Sequence, residues 1–206
     1  MVLGNHGRGF TRALFSPLAR FLVRAGVSPD VVTVVSTLAI SATALVLLPQ
    51  GYLVTTVVVV VILAFADSVD GLMARQMGRN TAFGAYLDST MDRVSDAAMF
   101  LGLAWYLMVQ PEERWQGLGL ALGMACVVLG MLVSYARARA ESLGISAKAG
   151  IAERTDRLVI AGVGTLAVGL GAPVVVLIIA LALLVVANVI TVVQRSVVVY
   201  RASQEE

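Results

Sequence analysis

Six stretches of this chain are apolar over lengths that approach or match the roughly 20 residues an α-helix needs to cross a bilayer. They run from about Val31 to Leu48, Leu53 to Arg75, Ala82 to Val109, Trp115 to Ala140, Arg157 to Leu170 and Ala172 to Val199. The fifth is the shortest and is rich in glycine. Composition points the same way. Apolar residues make up 59% of the chain and charged residues 14%, with a mean hydropathy of +0.89, whereas a soluble domain carries about 25% charged residues. The expected fold class is therefore an all-α polytopic membrane protein. Its six transmembrane helices are preceded by a short interfacial amphipathic helix.

That first helix is read from Ser16-Pro17 to Ala25-Gly26. Leu18, Phe21, Leu22 and Ala25 form an apolar stripe, and Arg20 and Arg24 share another face, a pattern suited to the membrane surface. The plainer alternative is a solvated turn. Residues 1–30 contain no uninterrupted apolar core and repeat arginine at Arg8, Arg12, Arg20 and Arg24, so they do not resemble a cleaved signal peptide. The first span has its own start signal in Ser28-Pro29-Asp30: cap, proline at the first turn, then an acid. Residues 1–27 are thus expected to form an N-terminal interfacial region and residues 28–206 a single six-span membrane domain. The lone Cys126 lies in an apolar run and excludes a disulfide within the chain.

With six spans, both termini share a side with the connections between spans two and three and between four and five. Those segments hold every Lys and Arg of the fifteen except Arg114. The positive-inside rule then makes both termini, and any site beside these connections, cytoplasmic at the cell membrane.

Acidic residues are costly at membrane depth and are usually functional there. Here they concentrate in residues 67–96. Asp67 and Asp70 are three apart near the end of span two, and Asp88 and Asp92 are four apart near the start of span three. Each spacing puts its pair on one helix face, and the short connection lets four carboxylates converge. Such a group needs cations. Oxygen ligands with no nearby Cys or His select Mg²⁺, or Mn²⁺, over zinc. A pair of ions is expected, an arrangement that serves phosphoryl chemistry. Gly71, Ala74 and Gly84 remove bulk beside the carboxylates, and Arg75 adds a cation suited to phosphate. Each residue taken alone also has a plain reading. Asp67 could end a helix, Asp92 or Asp96 could pair with Arg93, and Gly84 could serve helix packing.

Together these residues spell D-x2-D-G-x2-A-R-x8-G-x3-D-x3-D, with Asp67, Asp70, Gly71, Ala74, Arg75, Gly84, Asp88 and Asp92 at the fixed positions. The chain thereby resembles the CDP-alcohol phosphotransferase family. The resemblance implies transfer of a substituted phosphate from a CDP-linked donor to an alcohol, with release of CMP. It implies Asp67, Asp70, Asp88 and Asp92 as metal ligands and Asp92 as the base that deprotonates the acceptor hydroxyl. It places cytidine by Gly71 and Ala74 and the diphosphate by Arg75. Thr81 and the run Asp30, Val31, Val32 and Thr33 match further donor-binding positions. A homodimer is implied as well; the only support in the residues is the glycine-bearing fifth span, with Gly162, Gly164 and Gly169.

The acceptor must be sought outside this motif. Ser134, Arg137, Arg154, Arg157 and Arg195 fall at the cytoplasmic ends of three spans, where cations suit a phosphorylated acceptor. The plain reading of such arginines is positive-inside topology with contacts to anionic lipid. The segments GVSPDVVT, FGAYLDSTMDRVSD, SYARARAE and IAERTDRLVI are similar to those of the actinobacterial members that make phosphatidylinositol phosphate. That resemblance implies CDP-diacylglycerol as the membrane lipid donor and L-myo-inositol 1-phosphate as the acceptor. It gives Ser134, Arg137, Arg154 or Arg157, and Arg195 the acceptor phosphate, with Arg137 standing where lysine is common. Two alternatives stay open. One is glycerol 3-phosphate as acceptor, giving phosphatidylglycerophosphate. The other is a divalent-cation transporter, which would hold its carboxylates near the bilayer midplane. No nucleic-acid partner is expected.

Overall fold

The structure is a computed structural model that describes residues 17, 20–21, 23–76, 81–109, 113–147 and 149–204; the side chains of residues 66–72, 74–76 and 113 are outside that set. Six helices follow one another from Pro29 onwards: α1 Pro29–Leu47, α2 Leu53–Gln76, α3 Ala82–Met108, α4 Glu113–Ser142, α5 Arg154–Gly169 and α6 Val175–Ala202. Each coincides with one of the six apolar stretches. α5 starts earlier than its hydropathy suggests, because Asp156 accepts the Glu153 N–H at 3.0 Å and so caps the helix start with polar residues. α6 starts later, at Val175, beyond Pro173. Before α1, Pro17, Arg20, Phe21, Val23 and Arg24 are helical. Ser16, Leu18 and Leu22 lie outside the described residues, and with them most of the expected amphipathic stripe.

The helices are built inside out relative to a water-soluble fold. α1 buries Thr33, Ser36, Thr37, Ser41 and Ala44 and exposes Val31, Val35, Leu38 and Val46. α6 buries Asn188, Thr191 and Arg195 while exposing Ile179, Leu183, Val186, Val193 and Val197. An outward apolar face of this extent has no stable place in water and matches lipid. Two of the buried hydroxyls are satisfied locally: Thr33 donates to the Pro29 carbonyl at 3.2 Å and Ser36 to that of Thr33 at 3.1 Å. Back-bonding of this kind lets a hydroxyl sit in an apolar helix. The chain is a membrane protein. Among the described residues, three helices are long and apolar enough to cross a bilayer: Pro29–Leu47, Arg114–Ser142 and Val175–Ala202, with Leu53–Phe65 a shorter apolar piece. α3 interrupts its apolar run with Asp88, Asp92, Arg93 and Asp96, and α5 has only 16 residues.

The helices pack as two compact units, residues 1–44 with 58–98, and residues 45–57 with 99–206. The first holds most of α1, most of α2 and the larger, N-terminal part of α3. In the second, α6 packs against both α4 and α5, through a buried stripe of Leu177, Leu181, Leu184, Asn188, Thr191 and Arg195. Small residues set the closest approaches. A Cβ on Gly123 of α4 would lie 2.6 Å from Ala104 Cβ, 3.0 Å from Ala104 Cα and 3.2 Å from the Phe100 carbonyl oxygen. Two of those three atoms are backbone and cannot step aside. Gly123→Val is expected to destabilise the fold by about 1–3 kcal/mol, read as a lower midpoint of thermal unfolding in detergent. Gly164 meets Ala180 and Leu177, and Gly169 meets Leu53 and Val54. Both therefore serve packing within the chain, and only Gly162 of the glycines offered for a dimer has open space around it.

Candidate functional site

In the first unit, two helix starts come together. The Ser28 hydroxyl accepts the Val31 N–H at 3.3 Å and caps α1, with Pro29 at its first position. Asp30 falls in that first turn, where a carboxylate suits the helix dipole. The Thr81 hydroxyl accepts the Gly84 N–H at 2.9 Å and caps α3. The two caps are neighbours: a Cβ on Gly84 would lie 3.2 Å from Thr81 Oγ1 and 3.7 Å from Asp30 Oδ1. Asp30, Thr81 and Gly84 thus gather although Asp30 is far from the other two in sequence. Val31 is exposed, Val32 half-buried and Thr33 buried, so the four residues expected at the donor present different faces of one turn.

α3 stays helical from Ala82 through Asp88, Asp92 and Asp96, which puts these acids on successive turns of one face. Asp88 is exposed, Asp92 half-buried and Asp96 buried. Asp92 Oδ2 lies 3.6 Å from Arg93 Nη2, a long contact between sequence neighbours that are both partly solvated and hence a weak one. Asp67, Asp70, Gly71, Ala74 and Arg75 lie on the last three turns of α2, with the two acids spaced for one face; their side chains are outside the described residues. Among the described residues no three Asp, Glu, His or Cys side chains gather to hold a metal ion, and the expected four include two that are not described.

In the second unit, the structure assembles the arginines. Arg195 is 4% exposed and Arg157 2%. Arg195 donates from Nε to the Ala149 carbonyl at 2.9 Å and from Nη1 to the Val133 carbonyl. Arg157 lies against Gly130, where a Cβ would stand 3.8 Å from its Nε and 3.9 Å from its Cζ. Gly130 and the Arg157 guanidinium thus stand at ordinary van der Waals spacing. Arg137 and Arg157 both stand within electrostatic reach of Arg195, together with Glu141 and Glu153. Arg137 is exposed and holds Glu141 through Nε at 2.9 Å. Ser134 is half-buried one turn before Arg137 and donates to the Gly130 carbonyl at 3.0 Å. Arg154 is half-buried in the first turn of α5, one turn before Arg157. Gly130 is a member of this group that sequence spacing does not single out.

Like charges buried side by side need an anion or compensating acids. Glu141 and Glu153 supply part of that compensation. Arginine forks bind phosphate with paired N–H bonds; in Arg195, Nε and Nη1 are already given to the Ala149 and Val133 carbonyls. In the first unit, oxygen donors spaced along two helices suit a hard divalent cation and a diphosphate.

The family model described as CDP-alcohol phosphatidyltransferase matches residues 26–200. The chain is 43% identical over 207 residues to the phosphatidylinositol phosphate synthase of Cutibacterium acnes, covering 97% of this chain and 99% of that one. It is 36% identical over 196 residues to that of Corynebacterium glutamicum, covering 95% and 88%. Among solved structures, it is similar to the Mycobacterium tuberculosis phosphatidylinositol phosphate synthase with CDP-DAG bound, at a TM-score of 0.85 and 39% identity over 91% of this chain and 94% of that one. The same enzyme in complex with manganese and citrate gives a TM-score of 0.83 at 40% identity, covering 89% and 88%. With a model match across most of its length and relatives this similar from end to end, the chain belongs to the CDP-alcohol phosphatidyltransferase family.

Proposed function

We propose that this chain transfers the phosphatidyl group of CDP-diacylglycerol to L-myo-inositol 1-phosphate, giving phosphatidylinositol phosphate and CMP. The observation that carries the acceptor half is the cluster of Arg137, Arg157 and Arg195 in one compact unit. The names of the relatives in Cutibacterium acnes and Corynebacterium glutamicum support the same acceptor, and the CDP-DAG complex of a similar enzyme supports the donor. In this reading all six helices of residues 28–206 span the cell membrane as one domain. The basic connections and both termini face the cytoplasm, residues 1–27 rest at the interface, and two chains pair.

The donor set fits a divalent cation. Asp88 and Asp92 are both accessible on one continuous helix, and Asp67 and Asp70 share the helical spacing that lets two carboxylates act together. These four would hold Mg²⁺ or Mn²⁺, a pair of ions in the proposal, and a similar enzyme has been seen with manganese. When bound, such ions neutralise the diphosphate and stabilise the departing CMP. The rest falls to the chain. Gly71 and Ala74 leave space for cytidine, Arg75 contacts the diphosphate, and the capped turns of Asp30–Thr33 and Thr81 border the donor. Ser134, Arg137, Arg154, Arg157 and Arg195 grip the acceptor phosphate. Asp92 takes the proton from the acceptor hydroxyl, whose oxygen attacks the β-phosphorus that carries the lipid. The P–O bond to CMP breaks, and CMP leaves with the electron pair. A site at the cytoplasmic surface lets the acyl chains stay in the bilayer while the polar head reacts.

The test offers purified protein CDP-diacylglycerol and Mg²⁺ with each of the two phosphates. Incorporation of inositol phosphate with stoichiometric CMP is expected. Incorporation of glycerol 3-phosphate alone would overturn the acceptor, and cation uptake into liposomes without CMP release would overturn the enzyme. Chelation by EDTA is expected to abolish CMP release, and excess Mg²⁺ or Mn²⁺ to restore it.

A further inference from the structure

The connection between α4 and α5 is tied to α6 by more than Arg195. Thr191 lies on the buried stripe of α6, one turn before Arg195, and is itself fully buried. Its hydroxyl donates to the Ala187 carbonyl at 2.8 Å. It also accepts the Ile151 N–H at 3.2 Å and the Ala152 N–H at 3.1 Å. One donor and two acceptor sites are all that a hydroxyl has, so Thr191 is fully spent on fixing backbone. Its methyl fixes the same segment. Gly150 has φ of 143°, and a Cβ there would stand 2.5 Å from Thr191 Cγ2. Both the backbone conformation and the space admit only glycine. Arg195 meanwhile holds the Ala149 carbonyl. Residues 149, 150, 151 and 152 are thus held one after another by two side chains of α6.

The position of this clamp in the chain gives it functional weight. Ala152 leads directly into Glu153 and the start of α5. The first turn of α5 carries Arg154 and Arg157, two of the arginines assigned to the acceptor phosphate. The clamp therefore fixes where that turn begins, and with it the position of both guanidinium groups.

We infer that Thr191, with Gly150 as its complement, is a positioning residue for binding of the phosphorylated acceptor. It acts through the start of α5 and touches neither substrate. The inference rests on the proposed assignment of Arg154 and Arg157 to the acceptor phosphate, and it adds a specific cause for their placement. Displacement of a binding group by about 1 Å can cost roughly a hundredfold.

The experiment uses the full-length protein in CDP-diacylglycerol mixed micelles and compares Thr191→Val with Thr191→Ser. Valine keeps the volume and removes the hydroxyl; serine keeps the hydroxyl. The expected result for Thr191→Val is a KM for inositol phosphate raised about ten- to a hundredfold, with KM for CDP-diacylglycerol within about twofold of wild type. Thr191→Ser is expected to recover most of the acceptor affinity. An unchanged acceptor KM in a folded Thr191→Val protein would overturn the inference. So would a parallel rise in both KM values with a lowered thermal midpoint in both variants, which is the mark of a purely structural residue. If the wild type uses glycerol 3-phosphate instead, the acceptor identity fails, and the same split measured with that phosphate still decides the role of Thr191.

Discussion

Asp92→Asn is expected to lower kcat for CMP release by roughly 10²–10⁴-fold, the usual contribution of a general base, while the protein remains folded. Asparagine matches aspartate in size and keeps α3 intact. Ser95 donates to the Asp92 carbonyl at 3.1 Å, a backbone acceptor that the substitution leaves alone. The contact with Arg93 is long and partly solvated, so its loss costs little stability. What the substitution removes is the carboxylate's ability to take a proton. The measurement is CMP release at saturating donor and acceptor, with thermal unfolding as a control. Residual activity within a few-fold of wild type would remove Asp92 from the role of base. A titration with Mg²⁺ separates its two proposed roles. Recovery at high Mg²⁺ would assign Asp92 to metal binding alone, whereas a deficit that persists at saturating Mg²⁺ supports proton abstraction.

The helices are legible in the sequence because the solvent is lipid. A segment with no water to satisfy its backbone must close its hydrogen bonds within itself, and the apolar runs locate α1 to α6 except for the starts of α5 and α6. Short-range signals are legible because their partners are close in the chain. Ser28-Pro29 caps α1 as its sequence implies, and Arg137 reaches Glu141 at the i,i+4 spacing. The carboxylate block stands out in the sequence because acids are rare within long apolar runs, and its chemistry is what the Asp92→Asn measurement tests. Other features depend on distant partners and leave no local trace. Thr81 is marked in the sequence by the family resemblance alone, and its nearness to Asp30 shows only in the fold. Gly164 and Gly169 look alike in sequence whether they face another chain or, as found, Ala180 and Val54. Thr191 lies in an otherwise apolar run, and its partners are about 40 residues away. Arg157 groups with the loop cations by charge, yet it is among the most buried side chains of the protein. Its packing against Gly130, on another helix, cannot be read from local spacing.

That burial makes Arg157→Met the more informative of the arginine substitutions. A charge held at 2% exposure has lost most of its hydration. Methionine is similar in length and apolar, so it fills the volume of the side chain while removing the charge and its hydrogen-bond donors. If Arg157 were there to hold the fold, the substitution would lower the thermal midpoint and spare the acceptor. If it is there to bind phosphate, stability stays level or rises while acceptor binding is lost. A hydrogen bond to a charged group contributes about 1.5–3 kcal/mol, which corresponds to a KM for inositol phosphate raised roughly 10- to 150-fold. The KM for CDP-diacylglycerol is expected to stay unchanged. Arg157→Lys keeps the charge and loses the planar fork, so it should fall between wild type and Arg157→Met. An unchanged acceptor KM in a folded, less stable Arg157→Met protein would reassign this arginine to structure.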